Sequence, residues 1–147
     1  MKKTPEGWPR ISSALFYDDA AAAIDWLVRV FGFEVRLKIE GEGGRIEHSE
    51  LTFGDGLIMI SSLKREEAEK KWRIDCASPQ QVGGANTQSL CVFVDDADAH
   101  CARAKAAGAT ILNEPITTDY GAEYWADRTY LVRDLEGHQW WFMQRVR

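Results

Sequence analysis

The chain has 147 residues, a net charge of −5 and a pI of about 5.2. Its hydrophobic residues, at 45%, suffice to bury a core in one compact domain or two half-size modules. The acidic balance disfavours nucleic acid and anionic membrane surfaces, both of which call for a basic face.

Apolar runs and turn residues divide the chain into short elements. Ile11–Tyr17 reads as a strand. Asp18 and Asp19 follow, placed to supply carboxylates to a helix N-terminus, where orphan amides favour them. Ala20–Phe31 is alanine-rich and helical, with Ala23, Ile24, Leu27, Val30 and Phe31 as its buried stripe. Gly32 suits the left-handed residue past the helix. Three strands are predicted next, over Glu34–Ile39, Arg45–Phe53 and Leu57–Ser61, separated by GEGG and GDG turns. The segment Leu63–Arg73 (LKREEAEKKWR) reads as a charged, solvated helical turn, and ASPQQVGGANT after it as a flexible connector.

The same order then returns. Leu90–Val94 reads as a strand, Asp95-Asp96 as a helix start, Ala97–Ala107 as a helix and Gly108 as its stop. Thr110–Ile116, Glu123–Val132 and Gln139–Gln144 are the following strands, with DLEG between the last two. An offset of 77 residues aligns ALFYDDAAAA with CVFVDDADAH, matching Phe16 to Phe93 and Asp18-Asp19 to Asp95-Asp96. The chain is therefore a doubled strand–helix–three-strand unit. One such unit cannot cover its own sheet. The expected fold is α+β: two βαβββ modules forming one curved mixed sheet around a cleft, helices on the outer face. Residues 10–62 form the first module, 63–87 the connector and 88–146 the second module.

No apolar run approaches the roughly 20 residues of a membrane span, and no apolar stretch follows Lys2-Lys3 to make a secretory signal. Cys76, Cys91 and Cys101 are odd in number and contain no CxxC. Buried free thiols in a reducing cytoplasm are expected, rather than disulfides or a zinc knuckle.

The segments LFYDDAAAAIDWLVRVFGFE, HSELTFGDGLIMI, VFVDDADAHCARAKAAGATI and VRDLEGHQWWFMQ, in this order and spacing, resemble the vicinal oxygen chelate superfamily. That superfamily holds glyoxalases, bleomycin resistance proteins and extradiol dioxygenases, and the likeness is greatest to its bacterial glyoxalase/bleomycin-resistance-like branch. The resemblance implies a dimeric, often domain-swapped assembly. It also implies four strand positions where metal-dependent members place His, Gln or Glu. Here those positions hold Ser12, Ile60, Ser89 and Trp141, and no usual metal site is expected from that set. No cofactor is expected.

Polar chemistry is left to the strand Arg45–Phe53, where Ile46, His48, Glu50 and Thr52 alternate on one face and make His48 and Glu50 an acid–base pair if that face lines the cleft. His100 is expected at the surface of its helix, and His138 as a support of the DLEG turn. Alternation also sets Gln139, Trp141 and Met143 opposite Trp140 and Phe142. With Ser12, Ser89, Trp125 and Arg128, Trp141 and Met143 are the expected ligand-binding set, in an aromatic cleft for a small organic molecule. The chain is expected to act as a cytoplasmic homodimer that binds such a molecule without metal. The alternatives are a metal-dependent lyase, isomerase or dioxygenase-like enzyme with a displaced site, and a non-catalytic structural dimer.

Overall fold

A computed structural model describes residues 1–63 and 76–147. The charged segment 64–73 lies outside the described residues. Each module builds a four-stranded mixed sheet with one helix. In the first, β1 (Ser13–Tyr17), α1 (Ala20–Phe31), β2 (Glu34–Glu40), β3 (Ile46–Phe53) and β4 (Gly56–Ser62) give the order β1-β4-β3-β2. In the second, β5 (Leu90–Phe93), α2 (Ala97–Ala106), β6 (Thr110–Asp119), β7 (Ala126–Arg133) and β8 (Gln139–Arg145) give β5-β8-β7-β6. β1 runs parallel to β4 and β5 parallel to β8; the other pairings are antiparallel. The expected α+β architecture of two βαβββ modules is present, with β1 and β5 as inner edges.

The helices start and stop as their sequences require. Asp19 accepts from the Ala22 amide and Asp96 from the Ala99 amide, each satisfying an orphan donor of the first turn. Gly32 closes α1 at φ 86°, where a β-carbon would be strained. The α1 stripe Ala20, Ala23, Ile24, Leu27, Val30 and Phe31 is wholly buried. It packs on Leu15, Tyr17, Ile58 and Ile60 of the first sheet and on Trp140 and Phe142 of the second. Phe31 meets Phe142 and Trp140 edge-on, at centroid distances of 4.8 and 5.5 Å, so one core serves both modules.

His100 departs from expectation: it is buried. It shares a stripe with Ala97, Cys101 and Ala104, a face too small and polar to read as core from its hydropathy. Its Nε2 lies 2.9 Å from the Phe31 carbonyl and its Nδ1 2.6 Å from the Tyr130 hydroxyl. A carbonyl only accepts, so Nε2 carries the proton and Tyr130 donates to Nδ1. This neutral ring stitches α2 to the C-terminus of α1 and to β7. Cys76 and Cys91 also differ from expectation, being exposed, while Cys101 is buried. Cys91 alternates outward from Leu90 and Val92, which pack on the core.

The turn after β7 joins the modules. Asp134 accepts from the Tyr17 hydroxyl at 2.6 Å and the Trp140 indole at 3.1 Å. Its other oxygen accepts the amides of Glu136, Gly137 and His138. Burial pushes the Asp134 carboxyl up, against the opposing pull of Tyr17 and Trp140. Glu136 accepts the amides of Asp18 and Asp19, both at 2.8 Å, and the Ser78 hydroxyl at 2.6 Å. His138 supports the turn as expected and also reaches the first module, donating to the Phe16 carbonyl at 3.1 Å.

The connector after residue 76 is held rather than loose. A 3-10 turn over Pro79–Val82 carries a capping box between Ser78 and Gln81. Gln80 and Gln81 donate their side-chain amides to the two oxygens of Asp18.

Burial holds His100 below its ordinary value, so the unfolded chain takes up a proton first. The stability this ring contributes is complete above about pH 6.5 and is lost as pH falls below it. Urea denaturation at pH 7.5 and pH 5 should show that loss. A His100→Gln variant should be less stable at pH 7.5 by about 1–3 kcal/mol, with Tyr130 and the Phe31 carbonyl left ill-paired. It should also lose part of the pH dependence.

Candidate functional site

Register divides the residues of every strand between two faces. Leu15, Tyr17, Ile58, Ile60, Trp140 and Phe142 face the helices and are buried. Ala14, Phe16, Met59, Ser61, Cys91, Phe93, Trp141 and Met143 alternate with them and face the other way, into the concave side. Ile60 is thus a core residue, and the cleft side of β4 is Met59 and Ser61. Counting four residues from Gly56 lands on the helix face because β4 begins at that glycine.

On the second module the concave face is aromatic. Trp141 is 37% exposed, whereas the adjacent Trp140 is fully buried. The Trp141 indole donates to the Ser89 hydroxyl at 3.0 Å, uniting two of the expected ligand-binding residues. Met143 lies two positions along β8, opposite Thr129 of β7. Arg145 continues the same face. Its guanidinium carbon sits 5.1 Å from the Trp125 ring centre and 5.8 Å from that of Phe93, and its Nε pairs with Asp127 at 2.5 Å. Phe93 and Arg145 were not among the expected site residues. Alternation from Ser89 through Cys91, and from Trp141 through Met143, leads to them. Arg128 lies on the opposite face, where it pairs with both oxygens of Asp98 in α2 and donates to Thr117. Alternation from Met143 through its partner Thr129 assigns Arg128 to the helix side.

On the first module His48 and Glu50 face the concave side from β3, opposite Ile39 and Leu37 of β2. His48 Nε2 lies 3.2 Å from Glu50 Oε1. A carboxylate only accepts, so this bond places the proton on Nε2 and leaves Nδ1 of the neutral ring as an acceptor. Glu50 is buried, and its other oxygen lies 3.4 Å from Arg36 Nε. Arg36 also donates to the carbonyls of Gly7 and Glu6 and lies over the Trp8 ring, tying the N-terminal segment to this face. Two neighbours therefore compensate the buried charge of Glu50.

Ser12 stands between the modules, immediately ahead of β1. Its hydroxyl is buried with no hydrogen-bond partner among the described residues. Two cavities open along this seam. One, about 550 Å³, is lined by Ser12, Ala14, Cys91 and Phe93. The other, about 360 Å³, lies between the end of β1, residues 76–90 and His138. Neither is lined by His48, Glu50 or Trp141, so the structure brings Ser89 and Trp141 together, and His48 and Glu50 together, but not the two pairs.

Residues 10–142 match the sequence profile of the Glyoxalase/Bleomycin resistance protein/Dioxygenase superfamily, and the chain belongs to that family. Over 139 residues it is 31% identical to an uncharacterised protein of Mycobacterium bovis, covering 95% of this chain and 85% of that one. Among solved structures it is similar to TioX from Micromonospora sp. ML1, with 35% identity, a TM-score of 0.69, and coverage of 95% of this chain and 100% of that one. It also shares its fold with TnmS3, an antibiotic binding protein from Streptomyces sp. CB03234, at 20% identity and a TM-score of 0.64, covering 91% and 93% of the two chains.

The donor set does not fit the metal that many members of this superfamily use. Ser12, Met59, Ser61, Ser89 and Trp141 offer neutral hydroxyls, a thioether and an indole, where a divalent ion needs imidazole or carboxylate. The imidazole and carboxylate on the first module's concave side, His48 and Glu50, are bonded to each other and have no third such ligand beside them among the described residues. Among the described residues no three His, Cys, Asp or Glu side chains gather to hold an ion.

Removing the Glu50 carboxylate leaves Arg36 and His48 without their shared partner. Both side chains are about one-third exposed, at 35% and 34%, so solvent screens part of the loss. Glu50→Ala should cost about 1–2 kcal/mol in urea denaturation. Amide exchange at Gly7 and Trp8 should quicken as Arg36 loses its anchor.

Proposed function

We propose that this protein binds a small, planar organic molecule on its concave face, without the metal used by other members of the superfamily. The observation that carries this reading is the exposed aromatic face of the second sheet. Phe93, Trp125 and Trp141 are exposed there and Met143 is half-buried on the same face; the Ser89 hydroxyl accepts from Trp141, and Ser12 shares a cavity with Phe93. Apolar rings with a few polar tips favour stacking and desolvation of a flat ligand over coordination chemistry. The description of the structural neighbour TnmS3 as an antibiotic binding protein supports a sequestering role of the same kind.

A second reading gives the cleft an acid–base step. The bond from His48 to Glu50 supports it, because it presents a defined acceptor nitrogen on the same concave side. We further propose a cytoplasmic homodimer. Val35, Leu37 and Ile39 on β2 are exposed apolar side chains that a second copy would cover. Light scattering should then give twice the 16.6 kDa chain mass.

Purified protein, prepared without added metal, should carry well below one equivalent of zinc, nickel, manganese or iron by elemental analysis. Stoichiometric metal removable by a chelator would overturn the metal-free reading.

Titration with a panel of polycyclic aromatic compounds should quench tryptophan emission and raise the melting temperature. Trp141→Ala should weaken binding by about 1–3 kcal/mol. Its stability cost should fall short of the roughly 3–5 kcal/mol expected for Trp140→Ala in the core. If Trp141→Ala unfolds the protein and no compound shifts its melting temperature, the face is packing and the binding reading fails.

A further inference from the structure

β1 and β5 are the inner edges of their sheets, and no ladder joins them. They nonetheless face one another, since both line the two seam cavities. Ser12–Ala14 share the larger cavity with Val92 and Phe93, while Phe16 shares the smaller with Ser89 and Leu90. The two strands therefore run in opposite directions past each other, each presenting an open edge.

The backbone groups on those edges follow from register. A strand residue sends its N–H and C=O to one side, and the next residue sends its own to the other. The Leu63 amide donates to the Tyr17 carbonyl, so Ser13, Leu15 and Tyr17 serve β4. Ala14 and Phe16 then aim at the seam. The Val94 amide donates to the Met143 carbonyl, so Leu90 and Val92 serve β8. Cys91 and Phe93 then aim at the seam.

Only one of these seam-facing groups is occupied among the described residues: the Phe16 carbonyl accepts from His138 Nε2. No ladder joins β1 to β5, and no turn or loop bond occupies the backbone groups of Ala14, Cys91 and Phe93 or the Phe16 amide among the described residues. The orphaned Ser12 hydroxyl lies in the same seam, an independent sign of unmet hydrogen-bonding capacity. Among the described residues the lining is nearly free of charge: the smaller cavity has no Asp, Glu, Lys or Arg, and the larger has Asp55 alone. The side chains beside the open edges include Ser12, Ser13, Ala14, Ser89 and Cys91, small enough to let a chain approach the backbone.

We propose that this seam takes an extended, uncharged, amide-bearing ligand, a peptide-like chain whose N–H and C=O groups pair with the edges of β1 and β5. Strand addition of this kind draws its affinity from main-chain hydrogen bonds. The five residues of β1 span about 17 Å, room for a tripeptide in extended form. This deepens the cleft-binding reading and rests on it: a flat group stacked on Trp141 would carry its amide chain down into the seam between the sheets.

The test uses the full chain and three probes: 2-naphthoyl-Ala-Ala-Ala-methylamide, the same compound with its three alanine nitrogens N-methylated, and naphthalene-2-carboxamide. Affinity is read by tryptophan quenching and calorimetry, and seam occupancy by amide exchange in NMR. The tripeptide probe should bind at least about tenfold more tightly than its N-methylated form. It should slow exchange at Ala14, Phe16, Cys91 and Phe93 and leave Leu15 and Val92 unchanged. Equal affinity of the two tripeptides, or binding with no slowing at the four seam amides, overturns the proposal. If naphthalene-2-carboxamide still quenches emission in that case, cleft binding stands and only the seam assignment falls. If no probe binds at millimolar concentration, both fall.

Discussion

Two buried carboxylates, Asp134 and Glu136, hold the two halves of this molecule in register, and among the described residues neither pairs with a lysine or an arginine. A carboxylate in such a place survives only if donors replace its hydration shell. Asp134 collects five, three of them amides of its own turn. Glu136 takes its donors from outside its own module: two amides leading into α1 and the Ser78 hydroxyl of the connector. The helix dipole of α1 adds a favourable field at the same point. Asp18 is thereby freed from capping, and its carboxylate holds Gln80 and Gln81 instead. One turn thus fixes the end of β1, the start of β8 and the connector together. The seam between β1 and β5, and the cleft above it, inherit their geometry from that junction.

The two modules are alike in plan and unlike at this junction. The equivalent turn of the first module, Gly54-Asp55-Gly56, is shorter and carries Asp55 where the second has Glu136. Asp55 makes no side-chain hydrogen bond to Asp95 or Asp96, and a cavity of about 600 Å³ lies between them. At the second helix His100 and Arg103 supply the cross-link, both donating to the Phe31 carbonyl at the end of α1. The pseudo-twofold is closed on one side by a carboxylate meeting amides, and on the other by an imidazole and a guanidinium meeting a carbonyl.

This explains what could be read from the residues alone. The helices, their Asp caps, Gly32 and the alternation of Trp140 with Trp141 follow from local rules, because the forces involved are local. Strand ends moved by a few residues only, as at β1, which begins at Ser13 rather than Ile11. His100 was not legible because its burial is decided by Tyr130 and Phe31, thirty and sixty-nine positions away. Arg128 was misplaced for a simpler reason: it lay in a Tyr- and Trp-rich segment whose register only the pairing of Thr129 with Met143 defines. The anchoring of Glu50 by Arg36 left no local signal either, since the two are joined only through pairing of β2 with β3.

The distribution of polar and apolar groups separates stability from recognition by face. Every ring that closes the core, from Phe31 to Trp140 and Phe142, points to the helix side of the sheets. The concave side holds exposed rings, two buried carboxylates, Glu50 and Asp127, with their arginine partners, and two strand edges that no ladder joins, none of which the core requires. Adjacent residues on one strand therefore answer to different constraints. Trp140 is bounded by packing density and by its bond to Asp134, whereas Trp141 is partly exposed and its indole donates to Ser89. A sheet built this way can exchange one cleft chemistry for another without disturbing its fold. That is how neutral hydroxyls and aromatic rings can stand in this chain where relatives place metal ligands.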